Sequence, residues 1–264
     1  MIGQLQLQER LAKYTLSTLP RNLFFIGEKG CGKHTLVQEL ANKFKLPVIT
    51  IDPSIDGDTL IDYQQFPVKR MYLIDLTKFT AAQQNKLLKF IEEPSDTVYI
   101  SLIAESEINI LNTITNRCIK YYFSPYTLSQ LQLLNWLSTE VDELVYKVCK
   151  TPGQVLTADS TNIHQLENLC NTIIQKINLA TFENTISIAA QINYKEEYDK
   201  YDFYLFFNML IYCAFEDYKK TNNNQSLKIY LFTIRFKEQE LNKIIVKENF
   251  MLNFLTQLWE ITRK

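Results

Sequence analysis

The sequence predicts an α/β protein, a parallel sheet with flanking helices built around a phosphate-binding loop, followed by an all-helical region. Three observations carry this reading. Short apolar runs alternate with amphipathic segments through the first part of the chain. Three of only six glycines fall within the loop from Gly27 to His34. Beyond Gly153 there is neither glycine nor proline, which favours long helices.

The elements follow in order. Leu5 to Leu19 reads as a helix ended by Pro20. Leu23-Phe24-Phe25-Ile26 reads as a buried strand running into the glycine loop. From Thr35 onward, Leu36, Val37, Leu40, Ala41 and Phe44 mark one helical face. Pro47 to Asp52 is a second strand and Met71 to Asp75 a third. Ala81 to Glu93 is a helix that buries Leu87, Leu88 and Ile91 and stops at Pro94. Val98 to Ile103 is a fourth strand and Ile119 to Phe123 a fifth. After Pro125 the period changes. Leu128, Leu131, Leu134 and Leu137 mark one helix, and Val141, Leu144, Val145 and Val148 another. Thr151-Pro152-Gly153 forms a turn. The apolar run from Phe203 to Phe215, broken by Asn208, falls short of the roughly 20 residues a bilayer span needs and reads as a buried helix. Thr221 to Ser226 reads as a loop between two helices.

Composition narrows the function. With 28 basic and 29 acidic residues the chain is balanced, which argues against an obligate polyanion binder or a membrane-surface protein. The five cysteines form no C-x-x-C pair, so no zinc site and no disulfide framework is expected. No basic segment followed by an apolar one opens the chain, and a cytoplasmic location is expected.

Gly27-Glu28-Lys29-Gly30-Cys31-Gly32-Lys33-His34 has the form G-x-x-x-x-G-K. Such a loop points backbone N–H groups at phosphates from a helix start, and Lys33 would place its ammonium on the outer phosphates. The next position normally carries a hydroxyl that ligates magnesium, and here it is His34. Magnesium takes oxygen ligands in tight octahedral geometry, so an imidazole suits it poorly. Thr35 lies one residue late, about 100° round the helix. Asp75 closes the third strand, where an acid could hold a metal through water. Leu76 follows it, and leucine cannot activate water. Binding of ATP or ADP is therefore expected to be separable from cleavage, with magnesium poorly held and no metal site assigned.

The stretch Met71-Tyr72-Leu73-Ile74-Asp75, followed by Asn85-Lys86-Leu87-Leu88-Lys89-Phe90-Ile91-Glu92-Glu93-Pro94, resembles the clamp-loader branch of the AAA+ ATPases. There an acidic strand precedes a helix reading N-x-L-L-K-x-x-E-E-P. Thr115-Asn116-Arg117-Cys118 is similar to the family's S-R-C motif, with Asn116 in place of the serine. Ile2-Gly3-Gln4 with Leu11 resembles the family's opening. Lys150-Thr151-Pro152-Gly153-Gln154-Val155-Leu156 resembles its small-domain turn. The four-cysteine zinc knuckle common in the family is absent between Asp52 and Arg70.

Within that family the likeness is greatest to the stator-like delta-prime subunit of bacterial DNA polymerase III. The resemblance implies an AAA+ domain over 1–124, a small helical lid over 125–160 and a helical collar over 161–264. It also implies a subunit of a hetero-oligomeric ring that loads a sliding clamp onto primer–template DNA. Arg117 would act in trans as an arginine finger on a neighbour's ATP. The nucleotide-contacting arginine of the small domain is replaced by Gly153 or Gln154. Ser106, after the fourth strand, is the candidate for the water-orienting sensor. Two other readings stay open: an active AAA+ ATPase, and a stand-alone nucleotide-binding adaptor.

Overall fold

Alternate residues of each strand feed two different cores, as the period of two in a β-strand requires. The computed structural model describes residues 3–134, 141–158, 160–177, 200–240 and 247–263. The predicted positions Ile2 and Leu137 lie outside them. Five strands, β1 (Asn22–Ile26), β2 (Val48–Ile51), β3 (Arg70–Asp75), β4 (Val98–Ala104) and β5 (Ile119–Tyr122), form one sheet in the order β2-β3-β4-β1-β5. Every pairing is parallel.

One face of the sheet presents Phe24, Tyr72, Ile74, Ile100 and Leu102, which pack with Leu87, Phe90 and Ile91 of a helix, α4 (Ala81–Glu92). The other presents Leu23, Phe25, Met71, Leu73, Tyr99 and Tyr121. They pack with Leu36, Val37, Leu40 and Ala41 of α2 (Lys33–Phe44) and with Leu7 and Leu11 of α1 (Leu5–Ala12). The central strand β4 is buried at every residue, hence its unbroken apolar run.

The first helix is shorter than its sequence suggests. It ends at Ala12, and Thr15, Ser17 and Thr18 bond one another through their hydroxyls. Hydroxyl side chains that bond locally compete with helix hydrogen bonds. A helix not foreseen, α3 (Gly57–Gln65), fills the interval between β2 and β3, N-capped by Asp56, which accepts from the Thr59 amide at 2.7 Å. It buries only Leu60, so the sequence carries no apolar stripe to reveal it. In α4, Phe90 and Gln84 are buried while Leu88 is only partly covered.

Contacts divide the chain into two units, 1–130 and 131–264. The second is helical: α7 (Glu143–Val148), α8 (Pro152–Thr157), α9 (Ser160–Ile177), α10 (Lys200–Thr221), α11 (Asn224–Glu240) and α12 (Lys247–Arg263). Two further short helices are α5 (Asn112–Thr115) and α6 (Leu128–Gln132). The core of the second unit is aromatic, with Phe207 and Phe254 edge to face at 4.8 Å between ring centroids. The expected loop from Thr221 shrinks to Asn222 and Asn223. Asn222 takes a φ of 51° and closes α10 with its amide on the Tyr218 carbonyl at 2.8 Å. Among the described residues no helix is long and apolar enough to cross a membrane.

Candidate functional site

The sheet has two chemically distinct ends, and the predicted site residues divide between them. At the carboxyl end, Ile26 is level with Ala104 and Tyr122, and Asp75 is level with Ile103. The loop after Ile26, Asp75 and Ser106 therefore gather where ligands bind in open parallel sheets.

The loop turns through Gly30 at φ 84° and Gly32 at φ 99°, backbone that only glycine adopts without strain. Gly32 then caps α2, so Lys33, His34 and Thr35 occupy its first turn, with open N–H groups suited to an anion. Glu28 and Cys31 close the loop with a backbone hydrogen bond of 3.2 Å. Gly27 is enclosed: an added Cβ would stand 2.6 Å from the Phe123 Cβ. Lys33 is buried, and its Nζ donates to the carbonyls of Gly27 at 2.5 Å and Glu28 at 2.9 Å. The Tyr126 hydroxyl donates to the Cys31 carbonyl at 2.7 Å, and Gln4 brackets the Ser124 backbone with both ends of its amide. Burial pushes the Tyr126 phenol up to about 12.

The neighbours of the loop suit a polyphosphate better than a magnesium ion. Asp75 caps a short 3-10 turn, Leu76–Lys78, and accepts from the Thr77 hydroxyl at 2.6 Å and the Thr77 amide at 3.2 Å. The Lys78 ammonium stands 3.8 Å from its other oxygen. The carboxylate is thus engaged by the turn and faced by an exposed ammonium. Desolvation lowers the pKa of His34; the Asp75 charge opposes this, and Lys33 and Lys78 add to it. A neutral imidazole beside two ammonium groups does not replace a hydroxyl ligand. Leu76 is 1% exposed and belongs to the sheet core. A carboxylate there would have to leave the core to meet water.

Arg117 stands at the other end. Leu23, at the start of β1, is level with Ile119, and the Asn22 amide donates to the Arg117 carbonyl at 3.2 Å and to the Ile91 carbonyl at 2.8 Å. At a strand rise of about 3.3 Å per residue, the length of β1 puts roughly 16 Å between Asn22 and Gly27. The Arg117 guanidinium pairs with the Glu92 carboxylate at 2.7 Å and donates to the Thr113 carbonyl at 2.6 Å. Sequence reasoning had quoted Glu92 within a motif without a role, and missed Asn22, Thr77, Lys78 and Tyr126. Thr77 was legible as a hydroxyl two residues after a strand-end acid; the others meet only through tertiary contact.

Burial raises the thiol pKa values, that of Cys31 upward and those of Cys118, Cys149 and Cys213 to about 12. Burial raises that of the fully enclosed Cys170 as well. Such thiols are poor metal ligands and nucleophiles. Among the described residues no group of three or more His, Cys, Asp or Glu side chains could hold a metal ion.

The family described as DNA polymerase III, delta subunit matches residues 63–127, the segment that runs from α3 through Asp75, α4, β4 and Arg117 to β5. The resemblance to that family is confined to this segment, about a quarter of the chain. No curated protein sequence matches it. A gamma-subunit-related DNA polymerase III protein of Thermotoga maritima is 14% identical over 98% of this chain and 100% of its own, with a TM-score of 0.50, and shares the fold. The Holliday junction branch migration motor RuvB of the same organism is 15% identical over 66% of this chain, with a TM-score of 0.47. The match spans 64% of that RuvB chain, less than two thirds of its length.

Proposed function

We propose that this chain is a clamp-loader subunit of the delta-prime kind that hydrolyses ATP weakly or not at all and lends Arg117 to the ATP site of a neighbouring subunit. The observation that carries the reading is the placement of Arg117 at the amino end of the sheet, a strand's length from the chain's own phosphate loop. A guanidinium so placed is of no use to its own loop and is half exposed, open to a neighbour. Its planar fork suits the charge that builds on a transferring phosphoryl group, help worth orders of magnitude in rate when given in trans.

The phosphate loop, Gly27 to Thr35 with Asp75, then serves as architecture or as a holder of ATP or ADP. Engagement of Asp75 by Thr77 and Lys78 and burial of Leu76 support weak chemistry there. The assignment of 1–124 to an AAA+ domain, 125–160 to a lid and 161–264 to a collar belongs to the same proposal. So do the partners: other loader subunits in a ring, and a sliding clamp and primer–template DNA reached through the complex.

The test is ATP turnover by the complex formed with the loader subunits that co-purify with the chain. Arg117→Ala is expected to slow turnover by at least tenfold while the chain's unfolding midpoint stays put. Unchanged turnover, or turnover near one per second by the isolated wild-type chain, overturns the reading.

A further inference from the structure

We infer that Glu92 is a positioning residue for Arg117, an internal carboxylate latch that the phosphates of a neighbour's nucleotide displace. The inference rests on the proposed trans role of Arg117 and deepens it by naming what holds that residue before a partner arrives.

Three connections make the pair a built unit. Glu92 and Arg117 meet at 2.7 Å through side chains that are 40% and 39% exposed, so the pair lies where a second chain can reach it. The guanidinium is drawn the same way by the Thr113 carbonyl at 2.6 Å. The backbones are fixed to each other as well, because one Asn22 amide bonds both the carbonyl before Glu92 and that of Arg117.

The position of Glu92 has no local reason. It is the last residue of α4, followed by Glu93, and two carboxylates at the negative end of a helix dipole disfavour the helix. The gain lies in the field they create for a cation, and Glu92 holds the Arg117 guanidinium there. An exposed carboxylate binds a guanidinium weakly. A polyphosphate carries more charge and offers a fork of oxygens, and inside a closed interface the competition favours it. Glu92 holds the fork in the free subunit, and its release to the phosphates of a neighbour's nucleotide weakens docking slightly.

The experiment titrates the full chain into the ATP-hydrolysing subunit that co-purifies with it and reads ATP turnover against chain concentration. With Glu92→Gln, which keeps shape and removes charge, the half-saturating concentration is expected to fall about twofold to fivefold. The maximal rate should be unchanged, and the difference should shrink as salt screens the pair. The double variant with Arg117→Ala should behave as Arg117→Ala alone. A Glu92→Gln curve that is unshifted or needs more chain, beside a slowed Arg117→Ala complex, overturns the latch alone. An Arg117→Ala complex with wild-type turnover overturns the trans role and the latch together.

Discussion

Lys33 donates to the carbonyl of Gly27, so the phosphate loop is held shut by the lysine it carries. In a working site of this kind the ammonium is turned toward phosphate. Here it satisfies two loop carbonyls from a buried position.

It follows that Lys33→Met should destabilise the chain in the absence of any nucleotide. Charge-assisted hydrogen bonds are worth about 1.5–3 kcal/mol each, and part of this is recovered by rehydration, so a loss of about 1–3 kcal/mol is expected. Urea unfolding without nucleotide measures it. An unchanged midpoint would mean that the lysine is not a structural member of the loop.

Leu76→Ala should cost about 2–4 kcal/mol, the range for truncating a buried leucine. Leu76→Glu, which places an acid where a hydrolysing phosphate-loop site would carry one, should cost more, because an unpaired carboxylate would enter an apolar core. It should not restore ATP turnover. A stable Leu76→Glu variant with new hydrolysis would show that the position turns outward.

The sheet was legible because its signals are local. Val98 to Ile103 is an unbroken apolar run since β4 is covered on both faces. Gly30 and Gly32 stand out in a glycine-poor chain because the loop needs positive φ. What stayed hidden depends on geometry that sequence spacing does not encode. Glu92 and Arg117 are distant in sequence and meet through tertiary contact, beside the Ile91 and Arg117 carbonyls that Asn22 bonds. The sequence shows that Leu76 lacks a catalytic carboxylate, but its place in the core emerges only from the packing.

The two histidines should pull stability in opposite directions near neutral pH. His164 bonds Asp142 at 2.8 Å and faces Glu167 at 3.4 Å, and these hydrogen bonds raise its pKa. Its contribution is full below the unfolded value of about 6.5 and is lost as pH rises through the raised folded value. The pKa of His34 is lowered by desolvation, so its contribution is present above about 6.5 and lost as pH falls through the lowered folded value. Thermal midpoints between pH 8 and 5 should therefore show His34→Gln gaining stability on acidification relative to wild type, and His164→Gln losing it. Parallel profiles for all three proteins would contradict both assignments.

Asn208 carries the last prediction. It is 5% exposed in the aromatic core of the helical unit, and its Oδ1 accepts from the Lys237 ammonium at 2.7 Å. Its Nδ2 finds no hydrogen-bond partner. A buried unpaired amide donor costs about 1–3 kcal/mol, yet removing Asn208 alone takes an acceptor from Lys237. The lysine also lies 5.6 Å from the centroid of the Tyr204 ring, so it has a second hold on the same helix pair. Asn208→Leu should then be near neutral, as one relief offsets one loss. The double variant Asn208→Leu with Lys237→Met replaces both polar groups by apolar ones of similar size. It should be more stable than wild type by about 1 kcal/mol, with a measurable coupling energy in the four-protein cycle. A double variant less stable than wild type would mean that the pair fixes the packing of α10 on α11 more strongly than its unpaired donor weakens it.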